Sequence, residues 1–207
     1  MYELINGHFE SVLNSLPRNF VEDYDWLLEQ IGQARTIEYQ RRYRTFWAMN
    51  RPVSNPAFYN AYFEALSAPS GQAGTLEEIV RNLHLIPPHP DGPQSLQFSF
   101  ATKLMHMRNP CLPVYDSQIA AFYFFEAPSG SGNPDDGIKR LLDFYDFLKI
   151  EYARVLKESL LATSIDAFRH RRSPRRFTDE RIVDSLLWAF VRLRKGDDAF
   201  NKQIAYS

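Results

Sequence analysis

The sequence predicts an all-α fold, and three observations predict it. Apolar residues return at three- and four-residue intervals along most of the chain, the spacing that lines one face of an α-helix. Strict alternation, the mark of a half-buried strand, is rare. Helix-start signals also stand directly ahead of the periodic runs, at Asn55-Pro56, at Thr75 with Glu78, and at Thr178 with Asp179 and Glu180. With 207 residues, 44% hydrophobic and 14% aromatic, the chain has material for one sizeable core. Residues 1–207 are therefore expected to form a single compact helical domain with room for two lobes.

Taken in order, Tyr39, Tyr43, Phe46 and Trp47 fall on one side of a helix whose other residues include Arg41, Arg42 and Arg44. Asn55 can cap a second helix, with Pro56 at its first position and Phe58, Tyr59, Tyr62, Phe63 and Leu66 behind. Thr75 and Glu78 have capping-box spacing, so a helix should begin there and end before Pro87-Pro88. Another is expected from Ser95 to Met107, stopping at Asn109-Pro110. Asp116 then opens a further helix after the apolar approach Pro113-Val114-Tyr115. From Asp135 to Leu161, Ile138, Leu141, Leu142, Tyr145, Leu148, Tyr152 and Val155 make one continuous face, the pattern of a long core helix. The last helix starts at Thr178, carries Arg192, Arg194 and Lys195 at its end, and can close at Gly196. Breaks are expected at Ser67–Gly74, Pro87–Pro93, Ala127–Pro134, with its Ser/Gly-rich tract from Pro128 to Gly132, and His170–Pro174.

Several function classes are disfavoured. Lys plus Arg number 24 against 25 Asp plus Glu, so any affinity for nucleic acid must come from local clusters and not from net charge. A lone Cys111 excludes an internal disulfide and a four-cysteine cluster. His8, His84, His89, His106 and His170 offer no pair at metal-binding helical spacing, so no metal is expected. There is no phosphate-binding glycine loop and no dinucleotide fingerprint, so no nucleotide or other cofactor is expected. No apolar run is long enough to span a membrane, and a cytoplasmic protein is expected.

Two stretches, Leu96-Gln97-Phe98-Ser99-Phe100-Ala101-Thr102-Lys103-Leu104-Met105-His106 and Pro113-Val114-Tyr115-Asp116-Ser117-Gln118-Ile119, resemble the core of the helix-hairpin-helix DNA glycosylase superfamily. Trp47-Ala48-Met49-Asn50-Arg51, Phe58 to Leu66, Asp143 to Tyr152 and Asp184-Ser185-Leu186-Leu187-Trp188 resemble segments of its bacterial members with an 8-oxoguanine-glycosylase-like fold. The resemblance implies a two-lobed helical fold, DNA as partner, and Asp116 as the carboxylate that assists cleavage of the N-glycosidic bond of a damaged or modified base. It also implies a hairpin from Pro87 to Pro93 that meets phosphate, with Gly92 and Ser95 as its contact residues. The family's Leu-Pro-Gly-Val-Gly pattern is replaced here by Pro90-Asp91-Gly92-Pro93-Gln94-Ser95, which has fewer amide donors.

The lysine that bifunctional members use as nucleophile has no match at Phe98 or Ser99. Lys103 lies one turn later, on the flank of an amphipathic helix where a lysine is ordinarily a solvated charge, and is the lesser catalytic candidate. Asp-dependent hydrolysis without a lysine nucleophile is the implied activity. A noncatalytic nucleic-acid-binding protein on the same scaffold and a protein-interaction module are the alternatives. Independently of the resemblance, Arg169, Arg171, Arg172, Arg175 and Arg176 surround Pro174 and are the candidate phosphate contacts.

Overall fold

The computed structural model describes residues 1–69, 71–128, 132–198 and 200–201. Those residues form an all-helical structure without strands. The helices are α1 (Tyr2–Gly7), α2 (Phe9–Asn14), α3 (Phe20–Glu29), α4 (Ile37–Phe46), α5 (Pro56–Ser67), α6 (Leu76–His84), α7 (Phe98–Arg108), α8 (Ser117–Phe122), α9 (Pro134–Lys157), α10 (Ala162–Arg172) and α11 (Asp179–Gly196). Among the described residues none is long and apolar enough to cross a membrane.

Local side-chain chemistry starts these helices where the sequence indicates. Asn55 Oδ1 accepts from Ala57 N at 3.0 Å, and Thr75 and Glu78 close a full capping box. Thr178 Oγ1 accepts from Arg181 N at 3.2 Å. The ends differ more. Helix α7 begins at Phe98 and not at Ser95, because prolines at 87, 88, 90 and 93 keep the chain out of helix between α6 and α7. Helix α9 stops at Lys157, before left-handed Ser159 (φ 56°). Helix α10 continues through Arg172, so part of the expected His170–Pro174 loop is helical, and left-handed Ser173 (φ 46°) ends it. Within the Pro128–Gly132 tract, positions 129–131 lie outside the described residues.

Helix α11 is the interior element. It is buried from Arg181 to Val191 apart from the partly exposed Trp188, and packs on α1, α2, α8, α9 and α10. A helix with apolar residues on all sides has to lie inside the fold. Helices α5, α6 and α7 pack together, α6 also reaches α9, and α3 pairs with α4.

The connection from α10 to α11 is anchored by Asp25 of α3. This buried carboxylate accepts the backbone amides of Arg175 at 3.0 Å and Arg176 at 2.9 Å. Two amides bonded to a charged acceptor form a strong local tie. Asp25→Ala should lower stability by about 2–4 kcal/mol, since both donors lose their acceptor. It should also speed tryptic cleavage after Arg175 and Arg176; unchanged urea unfolding and unchanged cleavage would remove Asp25 as the anchor.

Candidate functional site

A cavity of about 650 Å³ lies between the α3–α4 pair and α11. Its aromatic lining comes from Phe20 and Trp26 of α3, Phe46 and Trp47 at the end of α4, and Trp188 of α11. Its polar lining includes Lys103, Asp116, Arg181, Asp184 and Ser185. Ala48, next to Trp47, has a left-handed backbone (φ 53°), and Met49 N closes the turn on Arg44 O at 2.8 Å. This is the usual helix-ending geometry, with alanine where glycine is commoner.

Asp116 is set by local and distant contacts together. It is the N-cap of α8, and its Oδ1 accepts from Gln118 N at 2.8 Å and Ile119 N at 3.0 Å. The approach to it, 110–115, is non-helical and runs from exposed Cys111 into the buried residues Pro113 to Tyr115, so the backbone groups it buries need partners. Side chains supply them. Thr178 Oγ1 donates to Pro110 O at 2.8 Å, His106 Nδ1 to Leu112 O at 2.6 Å, and Tyr145 OH to Pro113 O at 3.0 Å. Asp184 Oδ1 accepts from Val114 N at 3.4 Å and Thr102 Oγ1 from Tyr115 N at 3.1 Å.

The carbonyl of Leu112 can only accept, so His106 carries its proton on Nδ1 and offers Nε2 to the Tyr24 hydroxyl 2.7 Å away. Burial and the charge of Arg181 push this imidazole down to about 3, so it is neutral at physiological pH.

Lys103, expected to be solvated, is only 8% exposed. Its ammonium lies 3.4 Å from Trp47 O, over the rings of Phe100 at 5.0 Å and Trp47 at 5.8 Å. Burial lowers it from 10.5 to about 8, against the opposite pull of Asp116 and Asp184. The structure therefore brings Lys103 and Asp116 to one cavity from separate elements.

Behind them, Arg181 Nη1 and Asp184 Oδ2 form a buried ion pair at 2.5 Å. Burial raises the Asp184 carboxyl to about 6 against the pull of Arg181, which leaves it ionised at neutral pH. The Arg181 guanidinium lies 4.9 to 6.0 Å from the rings of Tyr24, Trp47, Phe20, Phe46 and Phe177. Arg181 Nε and Trp47 Nε1 are buried without a hydrogen-bond partner among the described residues.

The other predicted contact residues lie apart from this cavity. Gly92 gives its amide to His89 O at 3.0 Å, and Ser95 Oγ accepts from Gln97 Nε2 at 2.5 Å. The arginine run is engaged within the molecule. Arg169 pairs with Asp179, Arg171 with Glu10 through both terminal nitrogens, and Arg175 and Arg176 with Glu29. Arg172 Nη2 donates to Leu13 O at 2.6 Å. Sequence reasoning missed Arg181, and it quoted Asp184 without giving it a role. The visible signal was their i,i+3 spacing at the head of the largely apolar run from Ile182 to Val191.

A buried ammonium held near 8 opposes folding wherever the unfolded chain would be protonated and the native one resists it. Lys103→Met should therefore raise stability at pH 7 by about 3 kcal/mol, from ~1.4 kcal/mol for each pH unit between the two values. The Lys103 penalty should fade between pH 8 and 10.5, where the native state has already released the proton that the unfolded chain keeps. It is read as the difference between wild type and variant, because the buried tyrosines, raised by burial, lower the stability of both as the pH nears 10. The variant's advantage should shrink across that window. An advantage independent of pH would show that Lys103 is not a buried cation. No family model, curated protein or solved structure matches the chain.

Proposed function

We propose that the protein removes a base from DNA by cleaving its N-glycosidic bond, with the target nucleotide extruded into the cavity between α3–α4 and α11. The reading rests on Lys103 and Asp116 sharing one aromatic-walled cavity. A volume of about 650 Å³ is within the usual range for an organic ligand of nucleoside size or larger. Aromatic walls suit a base that has left its stack.

Asp116 supplies the charge that the reaction needs. As the bond to the base breaks, positive charge develops on the sugar, and a carboxylate beside it stabilises that charge and orients water for attack at C1′. The departing base takes a proton, and the products are free base and an abasic sugar. Both capping bonds fall on Oδ1, and Oδ2 takes part in neither.

Burial of Lys103 favours a second route through the same site. An amine lowered to about 8 is partly unprotonated near neutral pH and can attack C1′ itself. Loss of the base then leaves an iminium that water hydrolyses, or that β-elimination resolves with strand cleavage.

Duplexes carrying modified bases, treated with alkali after incubation, report base release as strand breaks. Asp116→Asn should abolish release while affinity changes less than about threefold; loss of binding in parallel would make Asp116 structural. Borohydride added during turnover separates the two routes. A covalent adduct that disappears in Lys103→Met assigns the amine route, and release without an adduct assigns water. Release retained in both Asp116→Asn and Lys103→Met would remove the site from the chemistry.

A further inference from the structure

Two tryptophans of the cavity lining carry arginines on their faces. The Arg42 guanidinium sits 4.1 Å from the ring centroid of Trp26, and that of Arg192 sits 4.5 Å from the ring centroid of Trp188. Trp26 and Trp188 belong to different helices, both line the cavity, and both are partly exposed. Arg41, also on the lining, is exposed beside Arg42.

These cations differ from the arginine run in what they bind. Among the described residues Arg41 and Arg192 form no ion pair, and Arg42 has only the exposed Glu38, 3.8 Å away. A guanidinium lying on an indole is held in orientation while its in-plane N–H groups stay available. Such a group meets a phosphate with less loss of side-chain freedom than an unsupported one. Asp23 also lines the cavity and is exposed, so phosphate is disfavoured near it and favoured toward the arginines of α4 and α11.

We propose that Arg41, Arg42 and Arg192 bind the DNA phosphates flanking the nucleotide held in the cavity, with Trp26 and Trp188 as the platforms that orient two of them. The inference rests on the base-removal reading, and it puts the backbone contact at the cavity mouth, away from both the Pro87–Pro93 hairpin and the arginine run. Each arm would hold one side of the extruded nucleotide, so the strand enters over α4 and leaves over α11, or the reverse.

The test is fluorescence anisotropy of the full chain with a labelled duplex carrying a central tetrahydrofuran abasic analogue, measured across a salt series. Arg41→Gln/Arg42→Gln/Arg192→Gln should weaken binding tenfold or more. It should also reduce the magnitude of the log–log salt slope by about 0.9 per lost phosphate contact. Urea unfolding of the variant verifies that it is folded; Arg41→Gln/Arg192→Gln, which leaves the Arg42–Trp26 stack in place, serves if the triple variant is not. Folded variants with wild-type affinity and slope overturn the phosphate grip, even if Asp116-dependent base release is observed. Conversely, a weakened, flatter response in the variants supports the grip even where no base is released, and the failure then belongs to the catalytic reading alone. A wild-type protein that binds neither this duplex nor its single strand overturns the grip outright.

Discussion

A stretch of chain that is neither helix nor strand must find a partner for each peptide group it buries, and the 110–115 segment, buried from Pro113 to Tyr115, is that stretch here. Helix α7 supplies Thr102 and His106, α9 supplies Tyr145, α11 supplies Asp184, and the cap of α11 supplies Thr178. The need to pair these peptides accounts for much of the polarity inside the core. It also fixes a tautomer: the Leu112 carbonyl holds the His106 proton on Nδ1, while burial and Arg181 keep the ring neutral and leave Nε2 to the Tyr24 hydroxyl. Three helices from distant parts of the sequence thus converge on one short connection, and Asp116 stands at its end.

The charges around the cavity are arranged in the same interior. Arg181 and Asp184 neutralise each other at close range, while Lys103 has no ion pair among the described residues and is held by a carbonyl and two rings. A buried ion pair is weak support for stability by itself. Its role here is positional, since Asp184 also receives Tyr152 at 3.1 Å and the Val114 amide. One carboxylate therefore ties α9, α11 and the approach to Asp116 together. Lys103, by contrast, has a carbonyl, two ring faces and the more distant carboxylates of Asp116 and Asp184 to set against the cost of burial, and its lowered pKa shows that burial outweighs them.

What could be read in the sequence was what local chemistry decides. The caps at Asn55, Thr75, Asp116 and Thr178 depend on residues two or three positions away, so their signals are complete in the chain itself. The core faces of α5 and α9 were legible for the same reason, because helical spacing alone sorts their sides. The end of α10 and the burial of Lys103 were not, because each depends on tertiary partners. Lys103 looks like a flank residue on its own helix; α4 and its Trp47 turn cover it. The arginine run shows its charge plainly, but Glu10, Asp25 and Glu29, which absorb it, lie about 150 residues earlier in the chain. Trp26 and Trp188 meet at one cavity only after α3 and α11 are assembled.

Thr102 and Tyr115 are the immediate neighbours of Lys103 and Asp116, and the Thr102 hydroxyl holds the Tyr115 amide while its own proton faces the carbonyls of Ser99 at 3.1 Å and Tyr115 at 3.4 Å. That clamp means the distance between the amine and the carboxylate is governed by a contact one residue behind each, and not by the length of chain between them. The turn at 109–112 is held separately, by Thr178 on Pro110 O and by His106 on Leu112 O. A change in its length would break those two contacts first, and the Thr102 clamp stands between such a change and the placing of Lys103 beside Asp116.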